Sequence, residues 1–372
     1  MFRPFRAAVA ALVLFPAAAL TQEADNVEYL RIQHDATGRF GIAVAAGPES
    51  GKNLTFSGDG GTNNTAVSVG GFAFVLNAAA PTTPTAEKKE ADGRAWTTAW
   101  DVPPRKVTVT QEVVLTRGAQ SGKLDTAFVR YTLANKAKTK QKVGLRFMLD
   151  TLIGGNDGVP FVLPERADLV TTGALVGAKT KNLPDYVQAF ERPDFKNPGT
   201  VAHLGVQVSA HIATVEPPDS LLFSHWPGSD APWSYPIQNM GTDSAIGLYW
   251  TEAVVEPGAE RRVGFTYGLA KVVSGKSGGK LGLTAGGSFK TGGTITVTAY
   301  LDRDLKRPTV TLTVPDGLKL AAGVRAQQTV TIRPNEPNGR ATWRLVCERP
   351  GQYTVKAELE DGAAEEMPLI VR

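Results

Sequence analysis

TAFVRYTLANKAKTKQKVGLRFMLDTLIGGNDG, residues 126–158, decides the fold. Ala127, Val129, Tyr131 and Leu133 alternate with Thr126, Arg130 and Thr132. Val143, Leu145, Phe147 and Leu149 then alternate with Gly144 and Arg146. Side chains on a strand point to opposite faces in turn, so each run predicts a strand with one dry and one wet face. The basic run between them, Lys136–Lys142, reads as a solvated hairpin tip. Asp150 has the polar parity of Arg146, where the second strand meets a glycine-rich turn.

The same period-two pattern extends in both directions. Val107, Val109, Val113 and Leu115 share one parity upstream, and Val263, Phe265 and Tyr267 share one downstream. About a dozen such runs fall between residues 26 and 270, punctuated by many of the 39 Gly and 24 Pro. No segment shows a sustained apolar stripe at helical spacing. Antiparallel strands with one wet face need a second sheet over the dry one. The expectation is therefore all-β: a large two-sheet antiparallel sandwich over 26–270. Residues 271–293 (KVVSGKSGGKLGLTAGGSFKTGG) read as a Gly/Ser/Lys-rich linker and the start of a next domain. Strands at roughly ten-residue spacing over 294–372 fit an immunoglobulin-like sandwich.

Residues 1–19 have the form of a secretory signal peptide. Arg3 and Arg6 precede the apolar run Ala7–Leu14, and Pro16 precedes Ala17-Ala18-Ala19. The run is short of the roughly 20 residues of a membrane helix. The expected location is periplasmic or extracellular, with the signal cleaved. Cys347 is the one cysteine, so no internal disulfide is available, and its strand parity predicts a buried thiol. The charge balance, 40 basic against 36 acidic residues, argues against nucleic acid as a partner.

Three segments carry a resemblance: GLRFMLDTLIGGNDGVPF (144–161), GTDSAIGLYW (241–250) and PGAERRVGFTYGL (257–269). Together they resemble a module of uncharacterised bacterial exported proteins, similar to the galactose mutarotase-like supersandwich and often followed by immunoglobulin-like repeats. The resemblance covers roughly residues 26–270. It implies the fold and no transferable chemistry.

Two groups of residues are candidates for function. Asp150, Asn156 and Asp157, with Asp243 as a distant member, offer side-chain oxygens around a tight loop, which suits calcium. The same residues also suit a purely structural turn. The loop FSHWPGSDAPWSYP (223–236) contributes His225, Trp226, Trp233 and Tyr235. Indole rings on a rigid loop stack on sugars or anchor a partner; alternatively these rings cap the sandwich. A mutarotase-type reaction needs a carboxylate base and a histidine acid, for which Asp150 or Glu252 with His225 are available. Glu165 with Asp168, and Asp185 with Glu191, are conceivable carboxylate pairs.

These observations predict an exported, non-enzymatic recognition or structural module. It would bind carbohydrate or a protein at the cell envelope, with no membrane span, no required cofactor, and calcium as the candidate ion. The alternatives are a carbohydrate-active enzyme of the mutarotase-like class and a calcium-stabilised extracellular scaffold.

Overall fold

The computed structural model describes residues 26–76, 84–89, 93–177, 183–208 and 212–372. Residues 1–19, where the signal peptide is expected, and His211 lie outside them.

The described residues form antiparallel β-structure, as the alternation predicts. The larger sheet of the first domain has the order β10 (Phe161–Val162), β12 (Tyr186–Phe190), β13 (Val201–Gly205), β16 (Glu260–Leu269), β8 (Thr126–Asn135), β7 (Val107–Thr116), β6 (Ala95–Val102), β5 (Pro84–Lys89). The smaller runs β11 (Ala174–Val176), β14 (Ser220–His225), β15 (Ser244–Val255), β9 (Gln141–Thr151), β3 (Asn64–Val69), β4 (Phe72–Val75). A hairpin of β1 (Leu30–His34) and β2 (Phe40–Val44) completes the domain. Val109, Val129, Tyr131 and Phe265 from one sheet meet Leu145, Phe147 and Trp250 from the other in a single buried core. Phe147 stacks on Phe40 at 5.5 Å and lies 5.1 Å from Phe265.

Two local expectations need correction. The Lys136–Lys142 run is not a hairpin tip, because β8 and β9 belong to different sheets. β8 pairs with β7 and β16, and β9 pairs with β3 and β15. The run instead turns a corner at the sandwich edge. Asn135 holds it by accepting from the Ala137 amide at 2.9 Å and donating to the Val255 carbonyl at 2.9 Å. The second correction concerns the wet face of β9. Residues Val143–Thr151 are buried on both faces, because the segment 226–240 folds down over the outer one. There Met148, Leu222, Ala231, Tyr235 and Ala245 form a separate apolar cluster.

The second domain is also two facing sheets. One has the order β17 (Leu281–Gly287), β18 (Thr294–Asp302), β22 (Asn338–Cys347), β20 (Leu318–Leu320). The other runs β21 (Gln327–Thr329), β19 (Thr309–Thr313), β23 (Gly351–Leu359), β24 (Ala364–Val371). Cys347 is buried in this core beside Trp343 and Leu345. The glycine-rich stretch 271–293 thus contains β17. Its first half is tied down as well: the amides of Lys276 and Ser277 both donate to Glu365 at 2.6 Å.

The two domains dock through buried polar contacts. Tyr186 and Thr298 share a hydroxyl hydrogen bond of 2.8 Å. Gln188 donates to Thr284 at 2.9 Å and accepts from Tyr300 at 2.8 Å. Asp185 accepts from Thr296 at 2.5 Å, and Thr342 donates to the Pro164 carbonyl at 2.6 Å. Directional bonds of this kind, desolvated at both ends, fix one orientation.

Candidate functional site: a carboxylate cluster at one sheet end

Antiparallel order brings four strand ends together. β14 finishes at His225, opposite Ser244, where β15 begins. Ser244 in turn faces Thr151, the last residue of β9, and β3 starts beside them with Asn64 opposite Met148. Residues flanking these ends must share one rim of the six-stranded sheet. Asp150 comes from the end of β9, Asp157 from the turn after it, and Asp243 from the residue before β15.

Their carboxylate oxygens lie within 4.8 Å of one another. Asp150 is fully buried, and the other two are half-buried. In each, Oδ1 has no hydrogen-bond partner among the described residues. Burial, with the nearby charges of Asp243 and Asp157, pushes the Asp150 carboxyl up to about 7. Burial and Asp243 push Asp157 up to about 6, and burial also raises Asp243. His225 acts in the opposite direction on all three. Its Nδ1 donates to the Met240 carbonyl at 3.1 Å.

Backbone bonds hold the three carriers in place. The Asp150 amide donates to Asn63 Oδ1 at 2.7 Å, and the Asn63 amide donates to the Phe40 carbonyl at 2.9 Å. The Asp157 carbonyl accepts from the Ser244 amide and hydroxyl. The Asp243 amide donates to the Met240 carbonyl at 3.0 Å. Gly158 allows the two acidic loops to touch: a Cβ there would lie 2.5 Å from the Gly241 carbonyl oxygen.

The sequence candidates divide accordingly. Asp150, Asp157 and distant Asp243 do converge. The Asn156 side-chain amide nitrogen donates to the Glu191 carbonyl at 3.0 Å. His225 stands beside the acidic cluster, and Trp226 follows it, its amide donating to the Asp243 carbonyl at 3.3 Å. Trp226 and Trp233 are half-buried, and Trp233 sits edge-on to Tyr249 at 5.8 Å. Tyr235 is buried in the cluster over β9 and is no part of an exposed contact surface. The enclosure that buries it is pinned by Arg146, whose buried guanidinium donates to the carbonyls of Ala231 at 2.6 Å and Pro232 at 2.8 Å and to Asn64 Oδ1.

Glu165 is exposed as a residue, and partial desolvation of its carboxyl raises it above the usual range; the remaining candidate carboxylates have structural partners. Glu252 accepts from Ser68 and the Gly71 amide. Asp168 pairs with Arg166, Asp185 with Thr296 and Arg344, and Glu191 with Lys52. Asn63, Asn64 and Arg146 were not singled out in the sequence. The available signal was the parity of Arg146, which it shares with Asp150.

No family model matches the sequence, and no curated protein matches it. Among solved structures the chain is similar to a polysaccharide lyase at 12% identity and a TM-score of 0.38, covering 92% of this chain and 46% of that one. The chain therefore spans less than half the length of that lyase. It is similar to a galactose mutarotase related enzyme from Lactobacillus acidophilus at 11% identity and a TM-score of 0.38, over 66% of this chain and 96% of that one. A galactose mutarotase-like protein from Lactobacillus casei ATCC 334 is similar at 11% identity and a TM-score of 0.33, over 64% of this chain and 99% of that one. Likeness at this level assigns no activity.

Proposed function

We propose that the chain is an exported β-sandwich recognition module whose ligand-bearing rim is organised by a bound divalent cation. The convergence of Asp150, Asp157 and Asp243 carries this reading. Three carboxylates this close repel one another and are each short of a partner, and a cation removes both penalties. An all-oxygen donor set suits calcium over softer metals. With the ion bound, the β9 turn and the head of β15 become one unit, and Trp226 is held next to it. Carbohydrate or an envelope protein would be recognised at this rim by Trp226 and Trp233, with Tyr235 as internal support. The leader-like residues 1–19 support export. The strand order of the second domain supports an immunoglobulin-like spacer.

Terbium luminescence and melting curves with calcium or a chelator test the cation. Calcium should raise the melting temperature, and Asp150→Asn should abolish the effect. Identical melting with calcium and with chelator would remove the site. Sugar-array binding of wild type and Trp226→Ala, each with calcium, then tests the recognition surface.

A second reading has one observation in its favour: His225 adjoins carboxyls raised toward neutrality, the combination an acid–base pair requires. Epimerisation or elimination on a sugar substrate that is lost in both His225→Gln and Asp150→Asn, and retained in chelator, would favour it over the cation module.

A further inference from the structure

A cavity of about 660 Å³ lies between the two domains. It is independent of the acidic rim, because it opens on the outer face of the eight-stranded sheet. Its volume and its place at a domain interface are those of small-molecule sites.

The two walls differ in chemistry. On the sheet side β13 and β16 pair Gly205 with Thr266, and His203 stands two residues from Gly205 on the same face. A Cβ on Gly205 would lie 2.2 Å from Thr266 Oγ1, so the bare backbone leaves that hydroxyl open to the cavity. His203 is held by its stack on Tyr186, ring centroids 4.9 Å apart. Gly286 of the second domain makes room for this pair: a Cβ there would meet both rings, at 2.2 Å and 2.8 Å. Burial holds the His203 imidazole down at about 4, hence neutral. Neither of its ring nitrogens has a hydrogen-bond partner among the described residues. A neutral imidazole offers one donor and one acceptor, which matches a hydroxyl.

The second domain contributes a mainly apolar wall, with Phe289, Met367 and Ile370 beside the polar Gln352. Charged residues line the cavity as well: Glu49, which accepts from the Thr200 hydroxyl at 3.0 Å, Lys123, Asp125 and Lys271. The Asp125 carboxylate turns into its own loop, where Ser121, Thr126 and the Gly118 amide bond to it. At the rim Lys123 donates to the Tyr29 hydroxyl at 3.0 Å.

We propose that this interdomain cavity binds an uncharged amphiphile, its hydroxyl-bearing end on His203 and Thr266 and its apolar body against Phe289, Met367 and Ile370. Titration calorimetry on the full chain tests it, with octyl glucoside below its micelle concentration as the probe and octanoate as the charged counterpart. Saturable octyl glucoside binding is expected, with octanoate weaker by about tenfold. His203→Phe keeps the ring stack and removes the ring nitrogens; Ala46→Trp, on a surface loop at the cavity mouth, blocks entry. Each should weaken glucoside binding by about tenfold. Should His203→Phe fail to fold, Ala46→Trp carries the test alone. Absence of saturable binding, or undiminished binding in the folded variants, overturns the site. Octanoate binding as tightly as the glucoside overturns the uncharged class.

Discussion

Ser244 grips the main-chain carbonyl of Asp157 twice, through its amide at 2.9 Å and its hydroxyl at 2.8 Å. This clamp brings the turn after β9 onto the first residue of β15, so that Asp157 faces Asp243. Thr151 reinforces it by donating to the Ser244 carbonyl at 2.6 Å. Ser244→Ala should lower unfolding stability by about 1 kcal/mol. It should also weaken terbium binding severalfold, since the carboxylates would no longer be pre-positioned. Denaturant unfolding and a luminescence titration measure the two effects separately. Unaltered terbium affinity would show that the clamp serves only the turn.

Gly158 is the point of nearest approach between the acidic loops. Gly158→Ala would force its new carbon to within 2.7 Å of Thr242 Cα unless the loops part. A loss of about 1–3 kcal/mol is expected, together with loss of the calcium-dependent rise in melting temperature. Thermal melting with and without calcium checks both.

Arg146→Met should release the segment 226–240 from the face of β9. The guanidinium is buried without a carboxylate, and its charge is met by the Ala231 and Pro232 carbonyls and Asn64. Its removal should cost about 1–3 kcal/mol and speed proteolysis between Trp226 and Met240. Mass spectrometry of limited digests locates the cut; cleavage confined to other loops would contradict the pinning role.

Two buried groups near the interdomain cavity oppose each other in their pH dependence. Burial raises Asp125 to about 6, so its contribution is present below its ordinary carboxylate range and is lost as pH rises through 6. Burial lowers His203 to about 4, so its contribution is present above 6.5 and is lost as pH falls through 4. Each has a slope of at most about 1.4 kcal/mol per pH unit. Over pH 4 to 6 the two slopes offset one another in the wild type. Relative to wild type, His203→Phe should make stability fall more, or rise less, with pH over that range, and Asp125→Asn should shift the slope the opposite way. Unfolding free energies from pH 4 to 7 for the three proteins decide it; parallel curves would refute the assignment.

The alternation of apolar side chains was enough to establish an all-β chain, because strand parity is a local property of the backbone. It also put Asp150 off the core face of β9, where the structure has it. The chain's own order could not assign β8 and β9 to different sheets, since pairing is set by which dry faces meet. Nor could it show the outer face of β9 enclosed, because the covering segment follows it by some eighty positions and is held by Arg146 through main-chain carbonyls, whose acceptors every residue carries. The meeting of Asp150 and Asp157 with Asp243 had the same origin. Antiparallel registry places the end of one strand beside the start of another regardless of the distance between them in sequence, so the acidic rim and the interdomain cavity arise only when the sheets are assembled.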